Sequence, residues 1–208
     1  MMEMTLENED IDTRERIKDA ARQIFMKHGL EGARTEEIAN LSQTNPSLIS
    51  YYFKGKEKLF DTVLSETFSA FIDRVEKIVN TIDTDFETKV HQLVDCYSDL
   101  ILESPHLPMA TLIKIRKKNR AILSYTNRMR VMLHRSEMAK QFQQRINKGA
   151  YKQAILAQVI INLVSLTLFP ALAAPVLSTM GDMKQDAFMM LIKDRRQYIA
   201  DWVLYTLR

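Results

Sequence analysis

Cysteine is nearly missing from this sequence. Cys96 stands alone among 208 residues, which excludes an internal disulfide and suits a reducing cytoplasm. Glycine and proline are scarce, five of each. That leaves little turn chemistry and favours long helices. Metal chemistry has no footing either. His28, His91, His106 and His134 lie at no ligand spacing to each other or to Cys96, and no HExxH or paired-cysteine pattern occurs. Cys96 sits in no catalytic motif and reads as a small core residue. The sequence therefore argues against an enzyme and calls for no cofactor. Strand alternation, internal repeats and low-complexity tracts are also missing. The longest apolar stretch, Ala154 to Leu177, carries Gln158, Asn162, Ser165 and Thr167 and is broken by Pro170. It falls short of the roughly 18 uninterrupted residues of a membrane span, so no membrane partner is expected. Residues 1–10 are acidic and polar, without the pattern of a leader, and are expected to be disordered.

What is present is helical period. Ile17, Ala20, Ala21, Ile24 and Phe25 make one apolar stripe over about Thr13–His28, with Gly29 placed to end the helix. From Lys56 a second stripe continues through Leu59, Val63, Phe71, Ile72 and Val79 with no linker. Further helices are expected near 86–103, 109–118, 120–148, 154–168 and 184–207. Charge is uneven along them. The net formal charge is only +3, yet residues 61–105 hold three Lys/Arg against ten Asp/Glu, and residues 106–148 hold eleven against one. The basic block Lys114–Lys148, densest at Arg116–Lys117–Lys118–Asn119–Arg120, has three readings: a solvated helix surface, a counter-charge for the acidic region, or a surface for DNA or an anionic ligand.

The stretch RTEEIANLSQTNPSLISYYF, residues 34–53, reads as two short helices around a tight turn. Thr35 is placed to cap the first, with Glu36 and Glu37 in its first turn. Ser42, Gln43 and Thr44 form the break. Asn45 then caps a second helix whose N1 residue is Pro46, where the missing N–H costs nothing. Leu48, Ile49 and Phe53 are expected to pack inward, leaving Asn45, Ser47, Ser50, Tyr51 and Tyr52 on display. This is helix-turn-helix geometry, in which the second helix enters the major groove. Gln43, Thr44, Asn45 and Ser47, at its N-terminal end, are the expected base readers.

With its flanks, TRERIKDAARQIFMKHGLEGARTEEIA and SLISYYFKGKEKLF, this segment resembles the DNA-binding domain of the TetR family of transcriptional regulators, from Ile11 to Phe71. The family usually has glycine where Gln43 stands, so Gln43 is expected to accept a left-handed backbone at roughly 1 kcal/mol. Pro46 and Ser50 replace a frequent lysine and tyrosine. The resemblance implies an all-α protein of about nine helices. A three-helix DNA-binding domain (residues 11–71) is joined by a long fourth helix to a ligand-binding and dimerisation domain (residues 72–208). It implies phosphate contacts from Thr35, Tyr51, Tyr52 and Lys56, with Lys54 beside them and Ser50 on the same surface. It implies a homodimer through the last two long helices, for which Ile155, Val159, Leu163, Leu166, Phe188, Leu191, Ile192, Ile199 and Trp202 are the expected interface residues. It also implies an apolar interior for a small hydrophobic inducer, with Tyr97, Met109 and Asn162 as candidate contacts. The expected function is a cytoplasmic repressor that binds a near-palindromic double-stranded operator. The rival is a ligand-responsive helical adaptor that binds a protein and no DNA.

Overall fold

The computed structural model describes residues 2–117 and 120–208. Lys118 and Asn119, at the centre of the basic run, and Met1 lie outside the described residues. Eleven helices and no strand occur among the described residues. The chain divides into two compact units, Met1–Phe68 and Ser69–Arg208.

The first unit holds α1 (Met2–Gly32), α2 (Thr35–Ser42), α3 (Pro46–Phe53) and the beginning of α4 (Lys56–Asn80). The backbone is helical from Met2, where disorder was expected through residue 10. Gly29, at φ 66°, breaks α1 at the place the sequence marks for its end, and a short helical turn follows. Ile17, Ala21, Ile38, Ala39, Ile49 and Leu59 are fully enclosed. The Phe25 ring meets Phe60 edge-on at 5.0 Å, a geometry that aligns ring edge with ring face. Lys18 and Arg22 both reach Glu66 of α4, at 2.7 and 3.1 Å. Lys18 and Arg22 thus brace α1 against α4.

The second unit is built on α5 (Phe86–Glu103), which packs against α8 (Glu137–Asn147), α9 (Leu156–Leu172) and α11 (Gln185–Tyr205). Its Phe86, Val90, Leu93, Val94 and Ile101 are buried. Between lie α6 (Leu107–Arg116), α7 (Arg120–Arg135) and α10 (Ala174–Met180). Two helices exceed the expected number. The expected helix 120–148 is split by Ser136, whose hydroxyl caps α8 at the Ala139 N–H, and α10 starts at the Pro175 end of the apolar run. Pro170 lies inside α9. Proline has no N–H to give the Leu166 carbonyl four residues back, and Arg195 donates to that oxygen instead, at 3.4 Å. Among the described residues no single helix is long and apolar enough to cross a membrane, and α9 and α10 reach that length only as a pair bent by 72°.

The basic and acidic blocks meet in this unit. Arg128 bonds Asp73 at 2.7 Å and also Glu76. Arg145 bonds Glu87 at 2.7 Å. Arg128 and Arg145 of the block therefore serve as counter-charge to the acidic region. Burial alone would raise the Glu87 carboxyl, but the Tyr151 hydroxyl and Arg145 hold it below its ordinary value. Asp85, capping α5 at Thr88, is lowered by that hydrogen bond. Depressed carboxyls stabilise the fold above their unfolded pKa values and lose that contribution as pH falls through the folded values. The melting temperature should therefore drop steeply below about pH 4.5, and Glu87→Gln should flatten part of that drop while lowering the melting temperature at neutral pH. Circular dichroism melts from pH 3 to 8 measure both effects.

Candidate nucleic-acid interface and ligand cavity

The α2–α3 turn is held from within. Gln43 adopts φ 54°, ψ 44°, the left-handed conformation expected at this position. Thr44 N–H then closes on the Ala39 carbonyl at 2.9 Å, and Gln43 N–H on Asn40 at 3.2 Å. Buried Ser42 donates its hydroxyl back to the Ile38 carbonyl at 2.8 Å. Its oxygen lies 2.8 Å from the Thr44 hydroxyl. Because the Ser42 proton is directed at the backbone, Thr44 is the donor to Ser42 and offers only lone pairs outward.

Asn45 caps α3 as expected. Its Oδ1 accepts from both the N–H and the hydroxyl of Ser47, at 2.9 and 2.8 Å. The carbonyl end of the amide is thereby occupied and the NH2 end is turned into a free double donor. Ser47 likewise has spent its proton and presents acceptor lone pairs. Ile49 and Phe53 hold the inner face, at 0% and 5% exposure, while Tyr51 is 73% exposed. Leu48 is half-buried, and Pro46, Ser47 and Ser50 are exposed. Arg14 of α1 stacks over the Phe53 ring at 5.5 Å, fixing the back of α3.

Other expected contacts are placed differently. Thr35 does not cap α2: the N-cap is Arg34, with no side-chain bond, and the Thr35 hydroxyl lies 3.4 Å from Glu36. Lys54 ends α3 in a left-handed conformation, φ 60°. Gly55 continues at φ 108°, which a side chain would resist, and this double reversal sets up the start of α4. Lys56 donates to the Ala33 carbonyl at 2.9 Å, so the ammonium also ties the α1–α2 loop and keeps two of its three protons for other acceptors. The Tyr52 hydroxyl donates to Asp10 of α1, and this bond holds its phenol above the ordinary value. No short-range sequence signal pairs these two residues, which are 42 positions apart.

The second unit contains an apolar cavity of about 60 Å³. It is lined by Ile72, Leu93, Tyr97, Met129, Met132 and Leu163, among others. Tyr97 is the candidate contact that belongs to it, and burial pushes its phenol above the usual range. Met109 is 43% exposed, and Asn162, half-buried, accepts from Gln158 at 3.0 Å. Neither lines the cavity. Met129, Met132 and Ile160 do; their inward phase was the signal available.

Of the expected interface residues, Val159, Leu163, Phe188, Ile192 and Ile199 are buried in this unit's own core. On helices apolar nearly all round, periodicity does not separate the core face from an outer face. Leu166 is half-buried, and Ile155, Leu191 and Trp202 are exposed. Ile161 and Phe169 of α9 and Tyr198 and Tyr205 of α11 are exposed with them, and the Tyr198 and Trp202 rings stack at 6.0 Å.

Residues 17–63 match the family model of bacterial regulatory proteins, tetR family. The N-terminal unit is thus similar to the DNA-binding part of that family. The chain is 36% identical over 93 residues to the HTH-type transcriptional repressor NicS of Pseudomonas putida, a match covering 45% of this chain and 43% of that protein. It is 25% identical over 103 residues to the fatty acid metabolism regulator protein of Bacillus subtilis, covering 50% and 53%. It spans about half the length, or less, of the curated relatives it matches. Solved structures share the fold along nearly the whole chain. A transcriptional regulator from Cytophaga hutchinsonii matches with TM-score 0.66 at 22% identity, covering 93% of this chain and 97% of that one. The transcriptional regulator FadR from Bacillus subtilis, in complex with stearoyl-CoA, matches with TM-score 0.61 at 16% identity, covering 94% and 100%.

Asp10 occupies a hydroxyl that the TetR resemblance assigns to a phosphate. Asp10→Ala should therefore raise affinity for duplex DNA several-fold in fluorescence anisotropy at fixed salt. The double variant with Tyr52→Phe should lose that gain.

Proposed function

We propose that this chain is a DNA-binding transcriptional regulator, acting in the cytoplasm as a homodimeric repressor that a small hydrophobic ligand releases from its operator. The observation that carries the reading is the N-terminal end of α3. There exposed Asn45 has its amide oxygen engaged by Ser47, which leaves its NH2 group as the donor to offer, while Ile49 and Phe53 are buried. A rigid helix with free donors and acceptors at its first turn is what major-groove readout requires. Asn45, Ser47 and Thr44 read base edges, with Gln43 beside them. Tyr51, Tyr52, Thr35, Ser50, Lys54 and Lys56 meet the backbone phosphates. Two subunits place their α3 helices in successive major grooves about 34 Å apart.

The dimer forms through the outer faces of α9 and α11, where Ile161, Phe169, Leu191, Trp202 and Tyr205 are exposed. The ligand enters the apolar cavity of the second unit. It favours a conformation with the wrong α3 spacing, and α4, which runs through the boundary between the units, transmits the change. A thousandfold loss of operator affinity requires about 4 kcal/mol of difference in ligand binding between the two states. The stearoyl-CoA bound to FadR of Bacillus subtilis supports an apolar-chain ligand for this fold.

The test is binding to the DNA upstream of the chain's own gene, against scrambled DNA, across a salt series. Asn45→Ala should cost about 1–3 kcal/mol on the operator and little on scrambled DNA. Lys56→Ala should weaken both DNAs alike and reduce the salt slope by about 0.9 per lost phosphate contact. Trp202→Glu should raise the dimer dissociation constant more than about thirtyfold, read by sedimentation, and weaken operator binding with it. Equal binding of parent and variants to both DNAs would sink the regulator reading and favour the adaptor.

A further inference from the structure

A second space adjoins the apolar cavity. It has a volume of about 640 Å³ and lies between α8 and the start of α9. Leu133 and Leu156 line both spaces, so two leucine side chains form the partition. The chemistry changes across it. The inner cavity is lined by hydrocarbon, methionine and Tyr97. The outer chamber carries His134, Lys140 and the amides of Gln143, Gln144 and Asn147, with no carboxylate among its lining residues. Lys140 meets Glu137 at 3.2 Å, but its side chain is 65% exposed, so that surface pair is weak and its ammonium is free to turn. The start of α9, Ile155–Ala157, lines the chamber as well. No side chain caps its first N–H groups, which adds partial positive charge there.

We infer that the ligand of this unit is a single-chain amphiphile with an anionic head. Its chain passes between Leu133 and Leu156 into the cavity, and its head rests in the chamber against Lys140 and His134. This inference rests on reading the second unit as the effector domain. A cavity of about 60 Å³ holds roughly two waters' worth of volume. An entering chain must therefore displace neighbouring side chains. Met129 and Met132 line the cavity, and unbranched thioethers re-pack readily. Closed in this way, the site distinguishes the empty from the loaded state by the positions of the two leucines and two methionines. The basic block acquires a second role: its arginines Arg128 and Arg145 neutralise acids, while Lys140 serves the chamber.

Calorimetry with dodecanoate, dodecanol and dodecylamine on the full-length protein tests this directly. Dodecanoate should bind about tenfold tighter than dodecanol, and dodecylamine weaker still. Shortening the chain to hexanoate should cost more than a hundredfold, since each buried methylene contributes about 0.8 kcal/mol. Lys140→Glu should lower dodecanoate affinity about tenfold and leave dodecanol unchanged, and Lys140→Arg should restore the preference. Equal affinity for all three head groups, indifference to Lys140→Glu, or no binding at all overturns the inference. The same preparations are titrated with the upstream DNA fragment. Specific DNA binding without amphiphile binding sinks this inference alone, and amphiphile binding without DNA binding sinks the regulator reading alone.

Discussion

The display of side chains by α3 depends on a turn that cannot relax. Gln43 accepts a left-handed backbone, and that conformation brings Thr44 N–H onto Ala39 and frees Asn45 to cap α3. Had the turn been looser, Asn45 and Ser47 would be mobile polar groups losing conformational entropy on any contact. Instead their hydrogen-bonding roles are assigned beforehand: a donor pair on Asn45, acceptor lone pairs on Ser47 and Thr44. Preorganisation of this kind favours specificity, since a mismatched partner leaves a fixed donor facing nothing. The strain at Gln43 is the cost of that arrangement, and the apolar closure by Ile38, Ile49 and Phe53 is ample to hold it.

Much of this unit was legible in the sequence because its signals are local. Asn45–Pro46 announces a helix start, Gly29 an end, and the stripe from Ile17 to Phe25 a buried face. What was not legible was long-range. Asp10 meets Tyr52 across 42 residues, and Lys56 spends a proton on Ala33; neither pairing leaves a periodic trace. Thr35 misled because a hydroxyl next to an acidic turn looks like a cap, whereas the chain enters the helix one residue earlier.

The second unit was harder for a different reason. Its helices are apolar on more than one face, so Leu163 and Ile161 looked equivalent although one is fully buried and the other 56% exposed. The inward set goes to α5 and the outward set is left over. The charge blocks were more informative than the apolar ones. The acid excess of residues 61–105 and the base excess of residues 106–148 anticipate the pairs Arg128–Glu76 and Arg145–Glu87, because opposite blocks on packed helices lower their mutual energy by meeting. Lys140, whose carboxylate partner Glu137 lies on its own helix, was not distinguishable from its neighbours.

Trp202 is the only tryptophan in the chain. It is 45% exposed, stacked on Tyr198 and overlaid by Arg195 at 5.4 Å. Fluorescence excited at wavelengths that tryptophan absorbs and tyrosine does not therefore originates at a single site on the outer face of α11. Its emission colour reports how wet that face is, without contamination from the helix-turn-helix. Nature has placed a lone lamp where a covering surface would dim the water around it.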